Sequence, residues 1–332
     1  MNATKVRHHV GIDISARDFH VVIDDAPPAK FDNNAAGHAA CLKAITKRAG
    51  RVRVVVEATS TYHVDLCLVL ASSPRCEVMV ANPRHTHAFT QAQGRRAKTD
   101  AIDAAVLRDF ARVMPFVQWT PPTPEALELR SLTRYLDQLT RDRTALKNQR
   151  HALKATATSS DHALLDLAQR ILDITSRMKR AEAKLAQLKK AHASIRQHVD
   201  NLTTIPGVGE LTALRLVAEF LVLDHEMTSK QLAAWAGLDP RPRESGTSVR
   251  GKRKISKRGN ARVRHALYMP ALSISQRKNA FAVYYSRIAG RAAAKMIAIT
   301  ATMRKMLVVA WALFRSNTTY DETRVIARQD RP

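Results

Sequence analysis

The chain is 332 residues long and carries 54 Lys and Arg against 29 Asp and Glu, a formal net charge of +25. That surplus requires a polyanionic partner, most directly nucleic acid, while a hydrophobic content of 45% excludes a disordered basic tail and supports real cores, with length predicting roughly two domains. Cys41, Cys67 and Cys76 are odd in number and lack Cys-x-x-Cys spacing, which excludes a disulfide framework or a cysteine zinc site and fits a reducing cytoplasm.

The opening residues lead into a strand pattern rather than an apolar leader, so the protein is expected to stay in the cytoplasm where it is made. From His8 to Asp25 the chain reads as a hairpin turning at Ser15-Ala-Arg-Asp18. A helical stretch over Ala35 to Arg48, a β-branched strand over Val52 to Val56, a helix from about Tyr62 and a strand over Cys76 to Val80 follow. Strands alternating with helices indicate a layered α/β domain, closing near the Pro-rich Trp119 to Pro124.

Beyond it, Leu132, Leu139, Leu146 and Leu153 recur every seven residues, and a second seam runs from Leu164 through Leu167, Ile171, Ile174, Met178, Ala181, Leu185, Leu188, Ile195 and Val199 to Leu202. This predicts coiled-coil packing, either as an antiparallel hairpin or between subunits. Ile205-Pro-Gly-Val-Gly209, opening a helix over Leu211 to Phe220, has the composition of half a helix-hairpin-helix element; the backbone N–H groups at Gly207 and Gly209 suit a phosphate. Near the C-terminus Ala292 to Phe314 is apolar, but Lys295, Arg304 and Lys305 interrupt it, so a core helix is expected and no membrane span.

Two groups of residues carry chemistry. Asp13 lies inside the apolar run Val10 to Ile14, Glu57 ends an apolar strand, and Asp100 and Asp103 share one helix face. Four such carboxylates suit Mg2+ or Mn2+ in two-metal phosphodiester cleavage. Arg95, Arg96 and Lys98 would bring a phosphate to them. Asp18, Asp24, Asp25 and Asp65 read as caps, and the histidines form no convincing site. The second group is the run from Arg241 to Arg264, with ten Lys or Arg and one acid, Glu244. Arg250, Lys252, Arg253, Lys254, Lys257 and Arg258 are its expected nucleic-acid contacts, and Ser245, Thr247, Ser248 and Ser256 offer hydroxyls that arginines could activate toward phosphate.

Gly11-Ile-Asp-Ile-Ser15, Glu57-Ala-Thr-Ser-Thr-Tyr62, Asn82-Pro-Arg84, Lys98-Thr-Asp-Ala-Ile-Asp-Ala104, Ile205-Pro-Gly-Val-Gly209, Gly237-Leu-Asp-Pro240, Ser245-Gly246 and Ile255-Ser-Lys-Arg-Gly259 together resemble the insertion-sequence family 110 transposases, in order along nearly the whole chain. The resemblance implies a RuvC-like, ribonuclease-H-type domain over residues 1–120 whose DEDD tetrad is Asp13, Glu57, Asp100 and Asp103, holding Mg2+ or Mn2+. It implies an assembly hairpin over 121–202 and a mainly helical transposase domain over 203–332, giving an α/β plus all-α protein. Its nucleophilic serine precedes a glycine, which selects Ser245; Glu244 stands where relatives often have a second serine. The resemblance further implies a recombinase guided by a structured non-coding bridge RNA that pairs with donor and target DNA, assembled as a dimer of dimers with composite sites. A metal nuclease that hydrolyses junctions with water is the alternative, and a non-catalytic packaging protein a third reading.

Overall fold

The computed structural model describes residues 6–94, 99–156, 158, 160–241, 244–245, 249–250, 254–292 and 294–323. They fall into two compact units, 1–121 and 122–332.

The first unit is built on one mixed sheet. Strands β1 (Val6–Ile14), β2 (Asp18–Ile23) and β3 (Ala29–Asp32) form an antiparallel meander. Helix α1 (Ala35–Thr46) precedes β4 (Arg51–Glu57), α2 (Val64–Ala71) precedes β5 (Cys76–Ala81), and β4 and β5 run parallel beside β1, giving the order β3-β2-β1-β4-β5. Helices α3 (Pro83–Ala92) and α4 (Asp100–Val113) complete the unit. The sequence signals missed β3, which follows Pro27-Pro28, and α3, whose Pro83 is tolerated because it occupies the first turn behind the Asn82 cap.

Alternation along the strands sorts the two faces. Val10, Ile12, Ile14, Val52, Val54 and Val56 point to one face and pack with Ile45, Leu66 and Leu70 of α1 and α2. On the other face Val55 and Ala81 meet Leu107, Phe110 and Ala111 of α4. Gly11, two residues from Asp13, lies under α4: a Cβ there would stand 2.1 Å from the Ala104 carbonyl oxygen and the Arg108 nitrogen. Only a residue without a side chain lets the helix backbone rest on the strand.

The second unit is mainly helical. Helices α5 (Pro124–Lys154) and α6 (Asp161–Ala191) pack on each other within one chain, and Lys184 of α6 lies 3.7 Å from Glu128 of α5, so the heptad seam closes as an antiparallel hairpin. Leu129, Leu136 and Leu139 meet Met178, Ala181, Leu185 and Leu188 in its core. The second seam is not continuous, since α6 ends at Ala191 and extended His192 redirects the chain into α7 (Ala193–Thr203), with no Pro or Gly to mark the break. Helices α8 (Glu210–Phe220) and α9 (Ser229–Trp235) follow, then four two-residue strands, β6 (Pro240–Arg241), β7 (Glu244–Ser245), β8 (Val249–Arg250) and β9 (Lys254–Ile255). Helices α10 (Ala261–Ile274), α11 (Ala280–Ala289) and α12 (Lys295–Ser316) end the described chain. By length and composition α12 could cross a membrane, but half of its apolar window is buried, through residues such as Met306, Leu307 and Phe314 in the same core as the hairpin.

Gly11→Ala is expected to destabilise the first unit by about 2 kcal/mol or more, because a methyl group is forced against backbone rather than a movable side chain. Thermal unfolding followed by circular dichroism would measure it; an unchanged melting temperature would show that α4 is free to lift.

Candidate active site

The four carboxylates come from three elements that end in one region of the sheet. In the β1–β4 ladder Ile12 is level with Val56, so Asp13 and Glu57 are the next residues along two parallel strands, and alternation sends both to the face covered by α4. Asp13 is half-buried. Asp100 opens α4 and Asp103 lies in its first turn, where Thr99 caps the helix by accepting a hydrogen bond from the Ile102 N–H at 3.3 Å. The positive end of the helix favours carboxylates in that turn.

Two partners escaped the sequence signals. Buried Thr86 of α3 donates its hydroxyl to the Glu57 Oε2 at 2.5 Å. His20, which pairs across the β1–β2 ladder with Asp13, brings its Nδ1 to 3.8 Å from the Asp100 Oδ2. The hairpin register would have revealed His20; nothing in the sequence links Thr86 to Glu57, because the contact depends on the path from β5 into α3. Of the carboxylates read as caps, none caps a helix; Asp65 lies in the first turn of α2, and three are held in ion pairs: Asp24 accepts from His8 at 2.7 Å and pairs with Arg48 at 2.9 Å, Lys30 holds Asp18 at 2.8 Å, and Arg108 lies 3.0 Å from Asp25. The Lys30 hydrogen bond is the main cause of a lowered Asp18 pKa.

Among the described residues, no three His, Cys, Asp or Glu side chains stand close enough to hold a metal ion. Glu57 is turned to Thr86, and the Asp100 side chain is 65% exposed. The donor set nonetheless has the chemistry a hard divalent cation takes, carboxylate oxygens from β1, β4 and the first turn of α4. Arg95, Arg96 and Lys98 lie outside the described residues.

In the second unit, the motif halves Gly237-Leu-Asp-Pro240 and Ile255-Ser-Lys-Arg-Gly259 close on each other. Pro240 and Arg241 pair antiparallel with Ile255 and Lys254. The Ser256 N–H donates to the Asp239 carbonyl at 2.9 Å, the Lys257 N–H to the Gly237 carbonyl at 3.1 Å and the Asn260 N–H to the Trp235 carbonyl at 2.7 Å. Ser256 also donates its hydroxyl to the Asp239 carboxylate, so it is held in the stem, and the Arg258 N–H bonds back to Ser256 Oγ at 3.2 Å. A Cβ on Gly259 would stand 2.2 Å from the Trp235 carbonyl oxygen, so the glycine is required by close approach. This stem carries the inner hairpin, in which Ser245 is paired with Val249 and Glu244 with Arg250. Lys252 and Arg253 lie outside the described residues; Lys254 is in β9 and Lys257 adopts a positive φ of 51°.

The stem is anchored through Asn260, the cap of α10, whose side-chain amide donates to Glu219 at 2.8 Å. Glu219, buried on α8, also accepts two bonds from Arg134 of α5, at 2.8 and 3.0 Å, and lies 3.4 Å from Arg130. Burial alone would push its carboxyl up; the hydrogen bond and charges of these arginines and the bond from Asn260 hold it below the ordinary range. Elsewhere Gly207 has a φ of +82°, turning α7 into α8, and no side chain caps α8 at Gly209, whose Cβ position faces open space. Glu210 in the first turn pairs with Lys189 at 3.0 Å.

Comparison with known proteins covers both units. A family model of DEDD transposases of IS110 elements, described as Transposase, matches residues 10–158, and the Transposase IS116/IS110/IS902 family model matches residues 199–286. The chain is 27% identical to the pilin gene-inverting protein of Moraxella bovis over 322 residues, 95% of this chain and 98% of that one. Its likeness to the Moraxella lacunata protein of the same name is 26% over the same length. The transposase for insertion sequence element IS1111A of Coxiella burnetii is 30% identical over 213 residues, 56% of each chain.

Glu219→Gln is expected to cost about 3 kcal/mol by leaving two arginine charges without their buried partner. Because the folded pKa is depressed, the native contribution is complete above the ordinary Glu range and is lost as pH falls through the lower folded value. Unfolding between pH 3 and 7 on the approximate carboxylate scale should therefore steepen toward acid in the native protein and flatten in the variant; parallel curves would contradict this role. Thr86→Val should lower the stability of the first unit by about 1.5–3 kcal/mol, read by thermal unfolding, since a partly buried hydrogen bond to a charged group is removed from Glu57; an unchanged melting temperature would show that Glu57 finds another partner.

Proposed function

The chain has the domain architecture of an IS110/IS902-family transposase, and we propose that it is an RNA-guided DNA recombinase in which Ser245 attacks the DNA phosphate with divalent-metal support. Its general activity is that family's DNA transposition and recombination. The observation that carries recombination over hydrolysis is the likeness, along nearly the full length of both chains, to proteins named for inverting a pilin gene. Inversion requires that every broken strand be rejoined.

A serine nucleophile meets that requirement. The Ser245 hydroxyl gives up its proton and its oxygen bonds to phosphorus, while the bond from phosphorus to one DNA oxygen breaks and that oxygen leaves protonated. The new phosphoserine ester keeps the bond energy, so a different DNA hydroxyl can reverse the step and free the serine. Asp13, Glu57, Asp100 and Asp103 would hold Mg2+ or Mn2+, whose chemistry is to stabilise negative charge on the transferring phosphoryl oxygens. In this reading Thr86 positions Glu57 and His20 positions Asp100.

Guidance by a structured non-coding RNA, pairing with donor and target DNA, agrees with a surplus of +25 and 5% aromatic residues, which favour backbone contact over base reading. Lys254, Lys257 and Arg258 around the stem, with Arg250 and the uncapped start of α8 at Gly207 and Gly209, are proposed backbone contacts. A dimer of dimers is proposed as the working assembly, and 121–202 as its assembly region.

On a DNA junction with guide RNA and Mg2+, the native protein should give a covalent protein–DNA adduct that Ser245→Ala abolishes. A persisting adduct would remove Ser245 from the role, and cleavage without any adduct would favour the water-using nuclease. Asp100→Asn should reduce recombination by at least about a hundredfold, the scale of a lost electrostatic stabiliser, with RNA binding retained.

A further inference from the structure

Beside the stem of the Ser245 hairpin, within the second unit, lies an open groove of about 1000 Å³ formed by the stem and by α10, α11 and α12. Its lining mixes two chemistries. Lys254 and Lys257 from the stem, Arg264 from α10 and Arg304 and Lys305 from α12 are cationic, and among the described residues no Asp or Glu lines it. Tyr268 and Tyr284 supply aromatic rings. Tyr268 is 36% exposed, and its groove neighbours Met296 and Ile297 are 51% and 48% exposed, an apolar surface that a core would have covered. The Tyr284 ring has the Arg287 guanidinium 5.5 Å and the Lys305 ammonium 5.9 Å from its centroid, which places positive charge beside the ring.

We propose that this groove binds unpaired DNA: bases stack on Tyr268 and Tyr284 while the lysines and arginines of the stem and α12 follow the phosphates. The charge argues for a polyanion, and rings among cations are the pattern by which single strands are held without sequence preference. An acidic peptide would leave the exposed Tyr268 ring without a matching partner. The continuity of β9 argues for DNA in particular: the strand that closes the loop bearing Ser245 also contributes Lys254 to the groove. Resting on the recombinase reading, the occupant is the strand segment freed from pairing next to the attacked phosphate.

The test uses the full-length protein and a junction DNA whose single-stranded overhang carries 5-iododeoxyuridine. Photo-crosslinks should map to peptides containing Tyr268 or Tyr284. Tyr268→Ala and Tyr284→Ala should each weaken overhang binding by about tenfold, leave fully paired DNA binding unchanged, and be rescued by Tyr268→Phe and Tyr284→Phe, which keep the ring. Crosslinks confined to other peptides, an equal loss on paired DNA, or preferential crosslinking of a 5-iodouridine RNA at these tyrosines would each overturn the assignment to unpaired DNA. So would concentration-dependent self-association that the alanine variants abolish, which would make the groove a contact between copies. The Ser245 adduct is scored separately: crosslinks in the groove without an adduct would keep the groove and refute the serine, and an adduct without crosslinks would do the reverse.

Discussion

The absence of a side chain at Gly11 sets the geometry of the first unit. With any larger residue there, α4 would have to rise from the sheet, since the colliding atoms belong to its own backbone at Ala104 and Arg108. Held down, the helix brings its first turn, with Asp100 and Asp103, toward the ends of the strands that carry Asp13 and Glu57. The cost is electrostatic. Carboxylates gathered toward one end of one face would repel phosphate, and the positive N-terminus of α4 at Asp100 and Asp103 relieves only part of that. A divalent cation, as proposed for these carboxylates, would remove that repulsion and let phosphate and carboxylate meet through an ion.

The second unit solves a different problem, how to hold a short hairpin at the tip of a strongly basic loop. Mutual repulsion among its lysines and arginines would open the loop, and the two-residue strands contribute few bonds. Stability comes from below: the motif halves lock through backbone bonds, and Asn260 ties them to Glu219. Glu219 is a buried charge that two arginines of α5 and one amide compensate, so the long hairpin and the loop stem share one anchor. Such a pair contributes little net stability but makes misplacement expensive, and the result is a loop whose base is fixed.

Local patterns foretold much of this. The β1–β2 hairpin, the β-branched β4 and the heptads of α5 follow from period and turn chemistry alone, because each element buries one face. The break at His192 was hidden since the heptad phase continues on both sides, and phase says nothing about backbone direction. The motif Ile255 to Gly259 was visible as a string, yet its task was not: Ser256 looks like one more hydroxyl until Asp239, distant in sequence, is seen to hold it. The carboxylates were legible as residues in apolar or helix-starting contexts, whereas the approach of Thr86 to Glu57 and of His20 to Asp100 belongs to contacts between elements.

Where the aromatic residues lie bears on how such a protein can choose DNA. They amount to 5% of the chain, and Phe19, Phe110, Phe220, Phe281, Phe314 and Trp311 are spent on the cores. Exposed rings are correspondingly sparse, and Tyr268 stands among cations rather than among the amides and carboxylates that distinguish one base edge from another. Lysine and arginine at the phosphates hold a strand in place without reading it. A chain composed this way can hold a strand by its phosphates with little stacking on its bases. The proposed guide that pairs with bases would supply the choice of sequence that such contacts leave open.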